Sequence, residues 1–463
     1  MKDMPLIPVL LLLCVVVGSI GGVIFFGIYS VYALVGLLLF IFIFFDIYHG
    51  LYLILLAMPL LVGEGAGVNF FEIGFLGLVA SWYIGWLLLV PLLRGKGNDF
   101  NWFPLFKPTV ALIVIFAIAL IVGIANGASP MDAFRDMSAY IGYFILLPVL
   151  GMVNTREKAG KILIFLAMIG FPGFLVKMYL RWTMKFGIER DAGVLWSRFS
   201  DFNEYFGPFI GCLWPAILLQ VKSRIKLFAL VALVMVIFLK FFSGYRSELL
   251  SVAVMTIWAM FLVLLVEKGE RKLSIVMPFV ILVVFSFLVM AAIRGNITFP
   301  GSGKISQLYS KLVSKEELSS DTSIEGRIVE AEAAMDAFKE KPALGQGFGH
   351  RISFYWRYGS WYEESFKHHI WVPEMLRKFG IIGSLVWVWF FFSALKYAFL
   401  RAKRSQDAIA KVVSLGTFIW IATYLIPGIG HFGERAFTFI FGVVMGVLPA
   451  LTGDYGYPEK KVT

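Results

Sequence analysis

Residues 225–272 read IKLFALVALVMVIFLKFFSGYRSELLSVAVMTIWAMFLVLLVEKGERK. Two apolar runs, 225–242 and 246–266, stand back to back around a Ser-Gly-Tyr break, and each is long enough for an α-helix to cross a hydrocarbon core. Basic residues flank the pair, with Lys222, Arg224 and Lys226 around its start and Lys268, Arg271 and Lys272 after it. A helical hairpin with positive charge at its two outer ends is the pattern expected when basic loops stay on one side of a membrane.

The same alternation extends in both directions. Apolar runs at 5–26, 28–45, 50–62, 70–90, 108–125, 137–153, 160–180, 205–221, 273–293, 370–396, 408–427 and 432–452 complete a set of spans. The chain of 463 residues is 59% hydrophobic, 17% aromatic and has a mean hydropathy of +0.83, which excludes a soluble globular domain. Porin-like alternation is absent, so the backbone is satisfied within helices. The expected fold is all-α and polytopic, with about 12–14 transmembrane helices and a large, partly helical extracytoplasmic loop. It divides into helices over 1–293, the loop over 294–369 and C-terminal helices over 370–463.

Every basic cluster, including Arg156, Lys158 and Lys161 and the later Arg401, Lys403, Arg404 and Lys411, falls on one side of this count. Segments on that side carry the whole formal charge of +11, so both termini are expected in the cytoplasm. The pI of 9.4 reflects membrane orientation, and no basic soluble domain is present to hold nucleic acid. Cys14 and Cys212 lie inside apolar runs and form neither a disulfide framework nor a metal spacing. The first run, Pro5 to Phe26, exceeds a signal-peptide core and reads as a retained span.

The two longest outward connections are 181–204 and 294–369, and the second balances ten basic against ten acidic residues. A connection of that length should fold against the membrane domain. Within it, DTSIEGRIVEAEAAMDAFKEKP (321–342) reads as an amphipathic helix. Thr322 and Glu325 have capping-box spacing, Ile324, Ile328, Ala331, Met335 and Phe338 form one face, and Pro342 stops it.

Titratable groups concentrate on the outward side: of five histidines, His350, His368, His369 and His431 map there and His49 to the other side. His368 and His369 precede Pro373, which suits a first helical turn and pushes Val372 toward extended geometry. The positive dipole end of a helix disfavours imidazolium and keeps a histidine able to accept a proton near neutral pH. It also favours an anion such as phosphate. Spacing for a metal is lacking, and interfacial capping of the span is the alternative role for the pair.

Arginines supply the complement. Arg246 sits at the outer end of a span, where a permanent charge is costly, and Arg198 and Arg327 map to the same face. Two or three converging guanidinium groups neutralise a pyrophosphate leaving group by bidentate contact without a metal. Snorkelling accounts equally for Arg246, and a solvated helix face for Arg327. Gly345 and Gly347 in GQGFG offer backbone N–H groups to a ligand, although a simple turn fits better because the strand, lysine and hydroxyl of a P-loop are missing. His431 and Arg435, with Glu434, lie in a short outer turn and are candidate substrate contacts.

Four segments, SRFSDFNEYFGPFIGCLWPAILL, SGYRSELLS, GRIVEAEAAMDAFKEKPALGQGFG and HHIWVPEMLRKFGIIG, in this order, resemble the O-antigen ligase and O-antigen polymerase family of bacterial envelope enzymes. The resemblance spans the C-terminal part of the chain, while the first spans match only in hydrophobic character. The family's Ser-Arg motif corresponds to Tyr245 and Arg246, with the serine replaced. Its loop-helix arginine corresponds to Arg327, and its Pro-x-x-Gly-x-Gly turn to Pro342, Gly345 and Gly347. Its catalytic histidine corresponds to His369 when counted back from Gly380 and Gly383, and to His368 when counted from Trp371.

The resemblance implies a glycosyltransferase of the bacterial cytoplasmic membrane with an outward-facing site, no cofactor and no metal. The implied donor is an undecaprenyl-pyrophosphate-linked glycan, and the acceptor is a lipid A core or growing glycan hydroxyl, reached among membrane lipids. The arginines would hold the pyrophosphate while the histidine deprotonates the acceptor, which inverts the anomeric carbon. A transporter or flippase of lipid-linked glycans is the rival class, but the paired halves common in transporters are absent.

Overall fold

The computed structural model describes residues 37–39, 41–43, 46–61, 70–94, 100, 102–185, 205–219, 222–243, 246–266, 322–356, 361–365, 370–426 and 435–453. The chain forms two compact units, Met1–Asn98 and Asp99–Thr463. The expected spans 5–26 and 273–293 lie outside the described residues.

In the first unit, helix α1 (Ile47–Leu61) starts after Asp46, whose carboxylate accepts from the His49 backbone N–H at 3.1 Å and pairs with its ring at 2.7 Å. Helix α2 (Phe70–Arg94) packs on α1, and the fully buried Trp82 donates its indole N–H to Ile47 O at 2.7 Å. That bond satisfies the ring's one polar atom where solvent cannot.

In the second unit, helices α3 (Phe106–Ala125), α6 (Arg156–Lys185) and α11 (Trp371–Arg404) contain stretches long and apolar enough to cross a bilayer. A broken span passes the same test: α4 (Pro130–Ser138) is followed by a 3-10 turn at Ile141–Ile145 and α5 (Leu146–Met152), bent by 54°. The sequence predicts one straight span over 137–153 here. Instead, Ser129 caps α4 by accepting from Asp132 N at 3.0 Å, and Pro130 occupies its first turn, so a separate polar helix forms first.

Shorter apolar helices complete the described unit: α7 (Gly207–Leu218), α9 (Arg246–Val266), α12 (Ala408–Tyr424) and α13 (Arg435–Thr452), beside α8 (Ser223–Ser243). The runs expected at 225–242 and 246–266 thus appear as α8 and α9 with ends shifted by at most two residues. Leu227, Phe228, Val231 and Val234 on α8 are 59–72% exposed, an apolar stripe suited to lipid rather than water. The fold is all-α and polytopic.

Helices approach closely at small residues. A Cβ on Gly416 of α12 would run into Cys212 Sγ and lie 2.8 Å from the Cys212 Cα of α7, so the glycine makes room for both the cysteine side chain and the neighbouring backbone. At one end of the unit Arg156 pairs with Asp407 at 2.7 Å, and Asp407 caps α12 by accepting from Ala410 N at 2.8 Å. Arg401 lies over the Tyr397 ring, which in turn meets Phe103 edge-on. Arg156, Lys158, Arg401, Lys403 and Arg404 therefore share one end, and the polar site described below lies at the other end of α3 and α11.

Outside the apolar helices, α10 (Thr322–Glu340) packs on α11 and on an antiparallel hairpin of β1 (Ile352–Trp356) and β2 (Trp361–Ser365). The pairing sets Phe354 opposite Glu363 and Tyr355 opposite Tyr362. Strand pairing was not expected in this loop. The hairpin also corrects the predicted buried face of α10. Glu330, Ala334 and Ala337 are buried, with Ile352 and Phe354 against the alanines, whereas Ile328 is 50% exposed. The alanines admit the strand side chains closely; of the row expected to face inward, Ala331, Met335 and Phe338 are only half-buried, and the Ile324 side chain lies outside those described.

Candidate functional site

Ile370 is extended (φ −106°, ψ 111°) and α11 begins at Trp371. Val372 is thus helical, not extended as its place before Pro373 predicts. A proline in the first turn removes no intrahelical hydrogen bond, because those N–H groups have no partner within the helix. Glu374 follows in that turn, where the helix dipole favours its charge. One turn on comes Lys378, directly bonded to Glu374.

Lys378 is fully buried and also donates to Asp136 of α4 at 2.7 Å and to the Tyr140 hydroxyl at 3.3 Å. Tyr140 donates to Glu374 at 3.3 Å, closing the group. The second carboxylate oxygen of Asp136 accepts from Gly349 N at 3.0 Å. Arg377, equally buried, donates to His350 O at 2.6 Å. Two carboxylates and two cations, none more than 9% exposed, thus sit together where α4, α11 and the 342–350 turn meet.

The turn is held by main chain. Gln346 N donates to Arg377 O (2.6 Å), Gly347 N to Lys378 O (3.1 Å) and Phe348 N to Ala119 O (2.9 Å). Ile381 N returns a bond to Pro342 O at 2.8 Å. These bonds require α11 to open at Gly380, which takes φ 62°, ψ −168°, a conformation reserved for glycine. The Gln346 side chain donates to Ala337 O and Glu340 at 2.9 Å each, tying the turn to the C-terminal end of α10. Below the turn, Phe116, Phe348 and Phe379 pack at 5.3–5.5 Å between centroids.

His350 closes the turn. Burial holds its imidazole below the ordinary 6.5, Arg377 and Lys341 push the same way and Glu340 opposes them, so the ring is neutral at pH 7. Its buried Nδ1 makes no hydrogen bond among the described residues.

Of the residues picked from sequence, His368, His369, Arg198, Tyr245 and His431 lie outside the described residues. Arg246 opens α9 and Arg435 opens α13. Arg327 is half-buried on α10, one turn ahead of the buried Glu330. Gly345 and Gly347 have φ of 74° and 83°, and their N–H groups bond to Lys341 O and Lys378 O. Those donors are committed to protein carbonyls, so the geometry fits the turn role over donation to a ligand. The structure therefore joins the helix bearing Arg327, the glycine turn and the start of α11, which His369 precedes by two residues. Asp136, Glu374, Arg377 and Lys378 were not singled out in the sequence. The i, i+4 spacing of Glu374 and Lys378 was the available signal, and it equally describes an exposed helix pair.

Residues 228–388 match the O-Antigen ligase family model. The match covers about a third of the chain and shows similarity to that family over this segment. The matched segment contains Arg246, Arg327, the glycine turn, both adjacent histidines and the first part of α11; it leaves out Asp136, Arg198, His431 and Arg435. No curated protein matches the chain.

Proposed function

We propose that this protein transfers or polymerises glycan from an undecaprenyl-pyrophosphate-linked donor onto a hydroxyl of a lipid A core or a growing glycan. The supporting observation is that the O-antigen ligase match contains Arg246, Arg327 and His368–His369, while the helix of Arg327 is hydrogen-bonded through the Gln346 turn to the helix that follows the histidines. In this reading the site faces outward from the cytoplasmic membrane, both termini are cytoplasmic and 294–369 is the extracytoplasmic loop.

Arg246, Arg327 and Arg198 hold the donor's pyrophosphate and stabilise the charge that develops as the glycosyl bond breaks. His369, or its neighbour His368, sits ahead of the positive end of α11, which favours the neutral imidazole. It removes the proton of the acceptor hydroxyl, whose oxygen attacks the anomeric carbon from the opposite face, inverting it and releasing undecaprenyl pyrophosphate. General-base assistance of this kind contributes about 10²–10⁴ in rate. His431 and Arg435 line the acceptor side.

The test is purified protein in lipid nanodiscs with a glycan-charged undecaprenyl pyrophosphate and candidate acceptors, followed by mass spectrometry. Release of undecaprenyl pyrophosphate with a matching gain of glycan mass on one acceptor is expected. Movement of intact lipid-linked glycan between leaflets without cleavage would assign the protein to the transporter class instead.

A further inference from the structure

The buried group Asp136–Glu374–Lys378–Tyr140, with Arg377, has no evident part in the steps above. Two carboxylates facing two cations leave no surplus positive charge for a phosphate, and Arg377 has further acidic company in the buried Glu330. Nor is stability its natural purpose, because replacing a buried ion pair by neutral groups of similar volume is often harmless. What the group does have is connectivity. It links α4 to α11 through Asp136 and Lys378, α11 to the turn through Arg377 and His350 O, and the turn to α4 through Gly349 N and Asp136. The turn in turn grips α10 through Gln346.

We infer that Lys378, with Asp136 and Glu374, is a positioning residue that fixes the start of α11 in register with the turn and with the helix of Arg327. A salt bridge has a defined geometry that apolar contacts lack, so the group selects one register where α11 is already broken at Gly380. Misplacing a catalytic element by an ångström costs about 10²-fold in rate while substrate contacts elsewhere survive. The inference rests on the proposed glycan transfer for its kinetic consequence, but not for its structural one.

The test uses the full chain in nanodiscs and the neutral variant Asp136→Asn/Glu374→Gln/Lys378→Met, which keeps an acceptor for Gly349 N and for Tyr140. Turnover should fall roughly 10- to 100-fold with donor KM nearly unchanged. Amide exchange of 343–350 and 370–376 should accelerate while the unfolding midpoint stays near wild type. Lys378→Arg should recover turnover relative to Lys378→Met. Wild-type turnover in the neutral variant overturns the inference, whatever its exchange. If the neutral variant does not fold, Asp136→Asn alone decides by the same KM-against-turnover comparison. If the wild-type chain transfers no glycan, the functional reading fails, and unchanged exchange would still overturn the positioning role on its own.

Discussion

Gly380→Ala tests the junction on which the site depends. At φ 62°, ψ −168° an L-residue is strained by about 1–3 kcal/mol. The added methyl would also run into the Ala343 carbonyl and lie 2.6 Å from Gly345 N, main-chain atoms that cannot rotate away. Relief requires parting the strands of contact made by Ile381 N to Pro342 O and Gln346 N to Arg377 O. Losing those two bonds adds roughly 1–3 kcal/mol, so the total cost is about 2–6 kcal/mol. Gly160→Ala is the control: it is a helical glycine of α6 with nothing within 4 Å of the added Cβ, and alanine there should stabilise by about 0.5–1 kcal/mol. Unfolding midpoints in a denaturing-detergent titration, run side by side, should therefore move in opposite directions. Equal midpoints for Gly380→Ala and wild type would refute the account of the broken helix.

Lys378→Met by itself leaves Asp136 and Glu374 buried without their cation and should destabilise by about 3–5 kcal/mol, far more than the neutral triple variant in the same titration. Asp407→Ala, which removes the α12 cap, should cost about 0.5–2 kcal/mol, whereas Arg156→Gln should cost under about 1 kcal/mol because its partner pair is exposed. Asp407 is held below its ordinary 3.8 chiefly by the Arg156 hydrogen bond and then by the Ala410 N–H, so its contribution is complete above that value and disappears as pH falls through the folded-state pKa; Asp407→Asn should be less stable than wild type above that value and converge with it in acid unfolding curves. His350 has the same sign at higher pH: its folded pKa lies below 6.5, the unfolded chain takes up a proton first, and stability should decline as pH drops below about 6.5, a decline that His350→Gln removes. Arg246→Ala and His369→Ala should abolish glycan transfer by protein that still folds, measured as undecaprenyl pyrophosphate release; near-normal transfer by both would end the proposed mechanism.

What the sequence by itself determined is one-dimensional: apolar run length, charge at run ends and the local stop signals. Hydrocarbon thickness translates directly into run length, which is why α8, α9 and α12 begin and end close to where their runs do. The helix over 322–340 was equally legible from its propensity and its terminal proline. Its buried face was not, because alanines on one side and larger apolar residues on the next give a weak periodic signal, and the hairpin that chose between them was itself unread. The aromatic run before Gly359 and the one after it, ISFYW and WYEES, carried a strand signal that a membrane context obscured. Only the tertiary structure could bring Asp136 to Lys378 across 242 residues of chain, or use the carbonyls of Arg377 and Lys378 to seat a glycine turn. A buried charge is tolerated only where its partner converges on it, and convergence of distant segments is a property of packing that no local pattern encodes.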